Sequence, residues 1–191
     1  MTAVDERQAF VLAIRRLHQA KDAAYRDSWK KRGEVISVLA NIARKVDRLE
    51  YVIAGAPATR DESLLDTAVY LFVYGLKYQC FLADHDGNVA AVLFDHGSIS
   101  GPYSDGRAGF EYLSKVNLDA LQRSVPPSAV SAHQVIAAFN DLEACFSVAV
   151  AEQPALVRLG RVQSLTDATV RFLGSLARES SERYRNFLAT P

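Results

Sequence analysis

Residues 34–54 read EVISVLANIARKVDRLEYVIA, and residues 62–83 read ESLLDTAVYLFVYGLKYQCFLA. In the first stretch Val35, Leu39, Ile42, Val46, Leu49 and Ile53 recur at alternating spacings of three and four. That spacing predicts an amphipathic helix packed in a bundle. The second stretch is apolar almost throughout, with Asp66 the only charge between Leu64 and Leu76, and predicts a helix buried on most sides. Gly55-Ala56-Pro57 stops the first helix, and Thr59 or Asp61 is placed to cap the second. Two long helical patterns joined by a short breaker predict an all-α fold.

The flanks agree with that class. Residues 4–24 carry Phe10, Ile14 and Leu17 at helical spacing, and 25–33 (YRDSWKKRG) reads as a polar junction holding two large aromatics. The stretch 84–88 (DHDGN) is a turn, and 89–94 is an apolar run too short to assign to helix or strand. Residues 95–107 (DHGSISGPYSDGR) form the longest loop and mark a boundary between 1–95 and 96–191. Three more helical patterns follow, at 108–124, 129–151 and 154–188, the last with candidate breaks at Gly160 and Gly174.

The composition limits the function. The 191 residues hold 22 basic and 22 acidic side chains, so a nucleic-acid binder working by bulk charge is not expected. The charge is nevertheless uneven, with 11 Lys and Arg against 7 Asp and Glu in residues 1–50. Cys80 and Cys145 lie far apart in apolar helical patterns and form neither a disulfide framework nor a CxxC motif. The N-terminus lacks a signal pattern, and no apolar run is long enough to span a bilayer, so the chain reads as soluble and cytoplasmic. His18, His85, His96 and His133 are isolated, and there is no phosphate-binding glycine loop or serine elbow.

Chemistry concentrates in residues 25–77. Asp47 and Glu50 share one face of the first helix, and Glu62 and Asp66 share one face of the second. An antiparallel pairing of the two helices brings these four carboxylates toward one edge of their interface. Four hard oxygen ligands suit Mg²⁺ or Mn²⁺, which in turn suit a triphosphate. Lys30, Lys31, Arg32, Arg44, Lys45, Arg48 and Lys77 are the candidate phosphate partners, and Trp29 and Tyr25 the candidate base contacts. Read without a ligand, the same charges form a solvated helix face of weak local pairs. The apolar stripes of a two-helix unit need a cover, which suggests a homodimer.

Tyr25, Ser28-Trp29, Arg32-Gly33, Lys45-x-Asp47-Arg48-Leu49 and Glu62-Ser63-x-x-Asp66-Thr67 together resemble the phage and bacterial nucleotide-modification-associated domain, an all-α family. The same helix pair looks like the wider MazG-like group of nucleotide pyrophosphohydrolases. The resemblance covers residues 20–82. It implies Mg²⁺-dependent conversion of a (d)NTP to monophosphate and pyrophosphate. Asp47, Glu50, Glu62 and Asp66 would hold the metal and serve catalysis, and Trp29, Lys30, Arg32, Lys45 and Arg48 would hold the nucleotide. MazG-like proteins carry E-x2-E and E-x2-D, whereas the pairs here are Asp47-x2-Glu50 and Glu62-x3-Asp66. The alternative is a non-catalytic module that binds a nucleotide or a partner protein in connection with nucleotide modification.

Overall fold

The structure is a computed structural model that describes residues 3–55, 63–94, 99–123, 130–147, 153–179 and 181–189. It is all-α. Eight α-helices occur among the described residues: α1 Ala3–Tyr25, α2 Ala40–Ile53, α3 Leu64–His85, α4 Gly87–Phe94, α5 Ala108–Arg123, α6 Ala132–Glu143, α7 Ala155–Glu179 and α8 Ser181–Ala189. No strand occurs among these residues, and none of their helices is long and apolar enough to cross a membrane.

The central element is α3. Sixteen of its residues, from Leu65 to Ala83, are buried, and they include the polar Thr67, Lys77 and Gln79. Its N-terminus is set by Ser63, whose hydroxyl accepts from the Asp66 backbone N–H at 3.2 Å. The Asp66 carboxylate Oδ2 accepts in return from the Ser63 backbone N–H at 2.9 Å and the Ser63 hydroxyl at 2.7 Å. This reciprocal capping box starts the helix at Leu64, two residues into the stretch 62–83 expected to be helical. Asp66 is therefore the third helical residue and has a capping role of its own. Thr59 and Asp61 lie outside the described residues.

The stripe that predicts a single helix over 34–54 divides in two. Residues Glu34–Leu39 form a π-helical turn, entered from Gly33 at φ 84°, and the α-helix starts at Ala40. The wider turn changes the phase of the stripe. Ile42, Val46 and Leu49 are buried as the spacing predicts, whereas Val35 is half exposed and Ile36 more so. The apolar run 89–94 lies in a helix, α4, after Asp86 caps it through Asn88 and Val89. Helix α7 runs unbroken through both Gly160 and Gly174.

Helices α7 and α3 form the most extensive packing pair, and α6 packs on both α7 and α2. The α3–α7 approach is close. A Cβ built on Gly75 would lie 2.6 Å from Thr166 Oγ1, and Gln79 Nε2 donates to that same oxygen at 3.1 Å. One hydrophobic cluster runs from Phe10 on α1 to Leu188 on α8, through residues on both sides of the long loop. The buried apolar faces of α2 and α3 pack against helices of the same chain, while Val35, Ile36, Tyr51 and Ile53 stay exposed. A second link joins the halves. Arg158 Nε on α7 pairs with Glu34 Oε1 at 2.8 Å, and the Tyr78 hydroxyl donates to that oxygen at 2.5 Å.

Candidate functional site

A cleft of about 680 Å³ opens between α1, the 26–39 segment, α2 and α3. On α3 its wall is Asp66, Tyr70, Val73, Tyr74 and Lys77, a run of residues on one helix face. On α2 and the π-turn it is Ile36, Ser37, Asn41, Arg44 and Lys45. Leu17, Ser28 and Trp29 complete it. Among the described residues the lining carries three cations, Arg44, Lys45 and Lys77, and a single carboxylate, Asp66.

Local bonding fixes these groups. Asn41 donates to the Ser37 carbonyl at 2.7 Å and the Trp29 carbonyl at 3.4 Å, which holds the π-turn against the preceding segment. Arg44 donates to Asn41 Oδ1. The Lys45 ammonium lies 4.5 Å from the Tyr70 ring centre. That of Lys77, a residue only 7 % exposed, lies 4.8 Å from the Trp29 ring centre. Cation–π attraction of this kind offsets part of the cost of taking an ammonium out of water. The positive charge of Lys77 reaches His18 one helix away. Burial, then Lys77, then Arg107 hold the His18 imidazole down to about 3, so it is neutral where it stacks on Phe110 at 3.8 Å. Burial likewise pushes the Cys80 thiol up, with Asp84 adding to the shift, so this free cysteine stays an inert thiol.

The residues singled out from sequence separate into groups. Lys45 and Asp66 line the cleft, and so does Lys77. Trp29 also lines it, but at 5 % exposure with two ammonium groups near its ring, Lys77 and, at 5.9 Å, Lys30, it acts as an anchor for cations rather than an open stacking face. Lys30 turns the other way. Its ammonium donates to Ser104 Oγ at 2.8 Å and pairs with Asp105, tying the 99–107 loop to the start of the fold. That loop is also held by Asp84, which accepts from the Tyr103 and Ser104 backbone at 2.5 and 2.9 Å. Arg32 is exposed and its backbone N–H donates to Ser37 Oγ at 2.9 Å. Arg48 lies 5.7 Å from the Tyr51 ring, beside the cleft rather than in it.

Asp47 and Glu50 are exposed and lie off the cleft. At 3.6 residues per turn they point roughly 140° away from the direction of Asn41, Arg44 and Lys45. The buried stripe Ile42, Val46 and Leu49 runs between the two flanks on the core side. Helix phase is the physical reason the carboxylates fail to meet: Asp47 and Glu50 sit on one flank of the stripe, and Asp66 faces α2 from the other. Glu62 lies outside the described residues. Among the described residues no group of three or more carboxylates, imidazoles and thiols is placed to hold a metal ion. Of the described carboxylates, Asp47 and Glu50 thus stand apart from Asp66 and do not join it in a Mg²⁺ or Mn²⁺ centre.

Arg44, a phosphate partner expected from sequence, lines the cleft as well, and Asn41, Tyr70 and Tyr74 join it as residues the carboxylate pattern does not reveal. The signal was present on α3, where Asp66, Tyr70, Tyr74 and Lys77 form a polar and aromatic stripe within an apolar helix. Compared with models of known protein families, with curated proteins and with solved structures, the chain matches none.

Proposed function

We propose that the cleft binds a nucleotide, and that the chain is a cytoplasmic nucleotide-binding module. The observation that carries this reading is the composition of the cleft wall. Arg44, Lys45 and Lys77 offer charge-assisted donors to phosphate oxygens, and Tyr70 and Tyr74 offer aromatic surface within the same cavity. From Asp66 to Lys77 the α3 wall extends roughly 16 Å at 1.5 Å per residue, the reach of an extended nucleotide rather than of free phosphate. Cation–π contacts with Trp29 and Tyr70 keep two of the ammonium groups in place before a ligand arrives. Such preorganisation reduces the ordering cost of binding.

Of the two readings drawn from sequence, this favours binding over metal-dependent hydrolysis. The support is that Asp47 and Glu50 lie off the cleft while its cations converge. The relationship to the nucleotide-modification-associated and MazG-like proteins stays part of the proposal, through the α2–α3 pair. Asp66, standing at the cleft, is the one observation that keeps the pyrophosphohydrolase reading in view.

Two measurements on the full chain separate them. Titration calorimetry with a panel of NTPs and dNTPs, repeated in EDTA, gives metal-independent binding if the module only binds. Pyrophosphate release with Mg²⁺ or Mn²⁺, run beside Asp66→Asn, gives turnover abolished by the substitution if it is an enzyme. A folded protein that neither binds nor turns over any nucleotide would leave both readings without support.

A further inference from the structure

Helix α2 buries Ile42, Val46 and Leu49 and turns its opposite side to solvent. The period of the helix says which residues stand there. Ala40, Arg44, Asp47, Tyr51 and Gly55 recur at spacings of four, three, four and four, and Ile36 precedes them by four more. Ala40 is half-buried and the others are exposed, Ile36 by 68 % and Tyr51 by 56 %. Among the described residues nine large hydrophobic side chains stand exposed, and four of them, Val35, Ile36, Tyr51 and Ile53, fall in this one segment. Exposure gathered in this way marks a contact surface.

The order of the stripe says what covers it. From Ile36 to Gly55 it runs large, small, positive, negative, large and no side chain. Its spacing of four, four, three, four and four is the same in either direction. A second copy laid antiparallel therefore sets Arg44 against Asp47, Ala40 against Tyr51 and Ile36 against Gly55. A two-fold axis then repeats each pairing. Opposite charges meet, and each bulky side chain meets a position with little or none. The space over Gly55 is open, with nothing within 4 Å of where a Cβ would stand. Arg44 donates to Asn41 Oδ1, and a guanidinium with five N–H donors keeps others for a carboxylate. A parallel copy would instead set Arg44 against Arg44 and Asp47 against Asp47.

We infer that the outer face of α2 is the interface of an antiparallel homodimer, with its two-fold axis between Arg44 and Asp47. The stripe is about 28 Å long at 1.5 Å per residue and one helix wide. That places the interface at the small end of specific contacts, with association in the micromolar range. Arg44 also lines the cleft, so Asp47 of the second copy stands at the cleft mouth. The inference does not depend on what the cleft binds.

The test is sedimentation velocity of the full chain over a range of protein and salt concentrations. A reversible monomer–dimer equilibrium that weakens with salt is expected. Asp47→Arg creates two like-charged pairs across the axis and is expected to raise the dimer dissociation constant about tenfold or more, and Arg44→Asp is expected to do the same. Mixed in equal amounts, these two variants restore both pairs and are expected to associate about as tightly as the unsubstituted chain. The double variant Arg44→Asp, Asp47→Arg is expected to dimerise by itself. Both positions are exposed, so circular dichroism is expected to be unchanged throughout. A chain that stays monomeric up to about 1 mM would overturn the inference. So would a dimer indifferent to both reversals, or reversed variants that fail to recover on mixing.

Discussion

Lys77 owes its place to Trp29. The buried indole, at the end of the 26–29 turn, gives the ammonium a favourable face on a largely apolar helix. Lys77→Met keeps the length of the side chain and removes its charge, and is expected to weaken nucleotide binding about tenfold or more with little loss of helix content. Calorimetry beside far-UV circular dichroism checks both halves of that expectation. His18 yields a stability prediction of definite sign. Its folded-state value of about 3 lies below the ordinary 6.5, so between those limits the unfolded chain binds the additional proton. Stability is then lost as pH falls from 6.5 toward 3, by at most about 1.4 kcal/mol per pH unit from this group. His18→Phe retains a ring against Phe110 and is expected to flatten that part of the slope in urea unfolding at pH 7, 6 and 5. Sequence alone marks His18 as isolated from other ligating residues, but its burial is set by the α1–α5 contact, which no local pattern encodes.

The helices themselves were legible from periodicity. The buried positions Leu39, Ile42, Val46 and Leu49 and the apolar run of α3 follow from spacing, whereas the 129–151 pattern yields a helix only to Glu143 and the 154–188 pattern divides into α7 and α8. The start of α3 carries a signal that the expectation of Thr59 or Asp61 as its cap passes over, since Ser63-Leu64-Leu65-Asp66 is a capping-box pattern immediately before an apolar run. Reading Asp66 only as a buried charge hides that role. The π-turn at Glu34–Leu39 was not legible, since one additional residue in a turn leaves no compositional mark, and it is what exposes Val35 and Ile36. Nor did Gly160 and Gly174 interrupt α7, where packing on α3 and α6 overrides their weak helix propensity. Gly75 has a firmer requirement. Gly75→Ala drives a methyl into Thr166 Oγ1 and is expected to destabilise by about 1–3 kcal/mol. Gly75→Ala combined with Thr166→Ala is expected to recover part of that loss in urea titrations. Recovery would identify contact between α3 and α7, rather than backbone freedom, as the reason for glycine.

At the scale of the molecule, the two halves of the sequence share one core. The stretch 20–82 holds the motifs read from sequence, but the buried face of its helix α3 is completed by α7. A fragment of residues 1–95 is therefore expected to expose apolar surface and to bind a hydrophobic dye that the full chain does not. The Glu34–Arg158 pair, with Tyr78 donating to the same carboxylate, ties the start of the π-turn to α7. Both partners are largely buried, and Arg158→Met is expected to cost on the order of 3 kcal/mol because it leaves Glu34 without its counter-charge. The cleft wall inherits that link, since the π-turn carrying Ile36 and Ser37 begins at Glu34. Helix α2 has a further consequence through the sidedness of its charges. A chain whose basic and acidic side chains balance at 22 each would, if they were evenly mixed, attract and repel anions about equally. With Arg44 and Lys45 on one flank and Asp47 and Glu50 on the other, the helix instead carries a transverse dipole. An approaching polyanion is turned toward the cleft before it touches the surface, so its capture rate should fall with ionic strength in a protein of zero net charge.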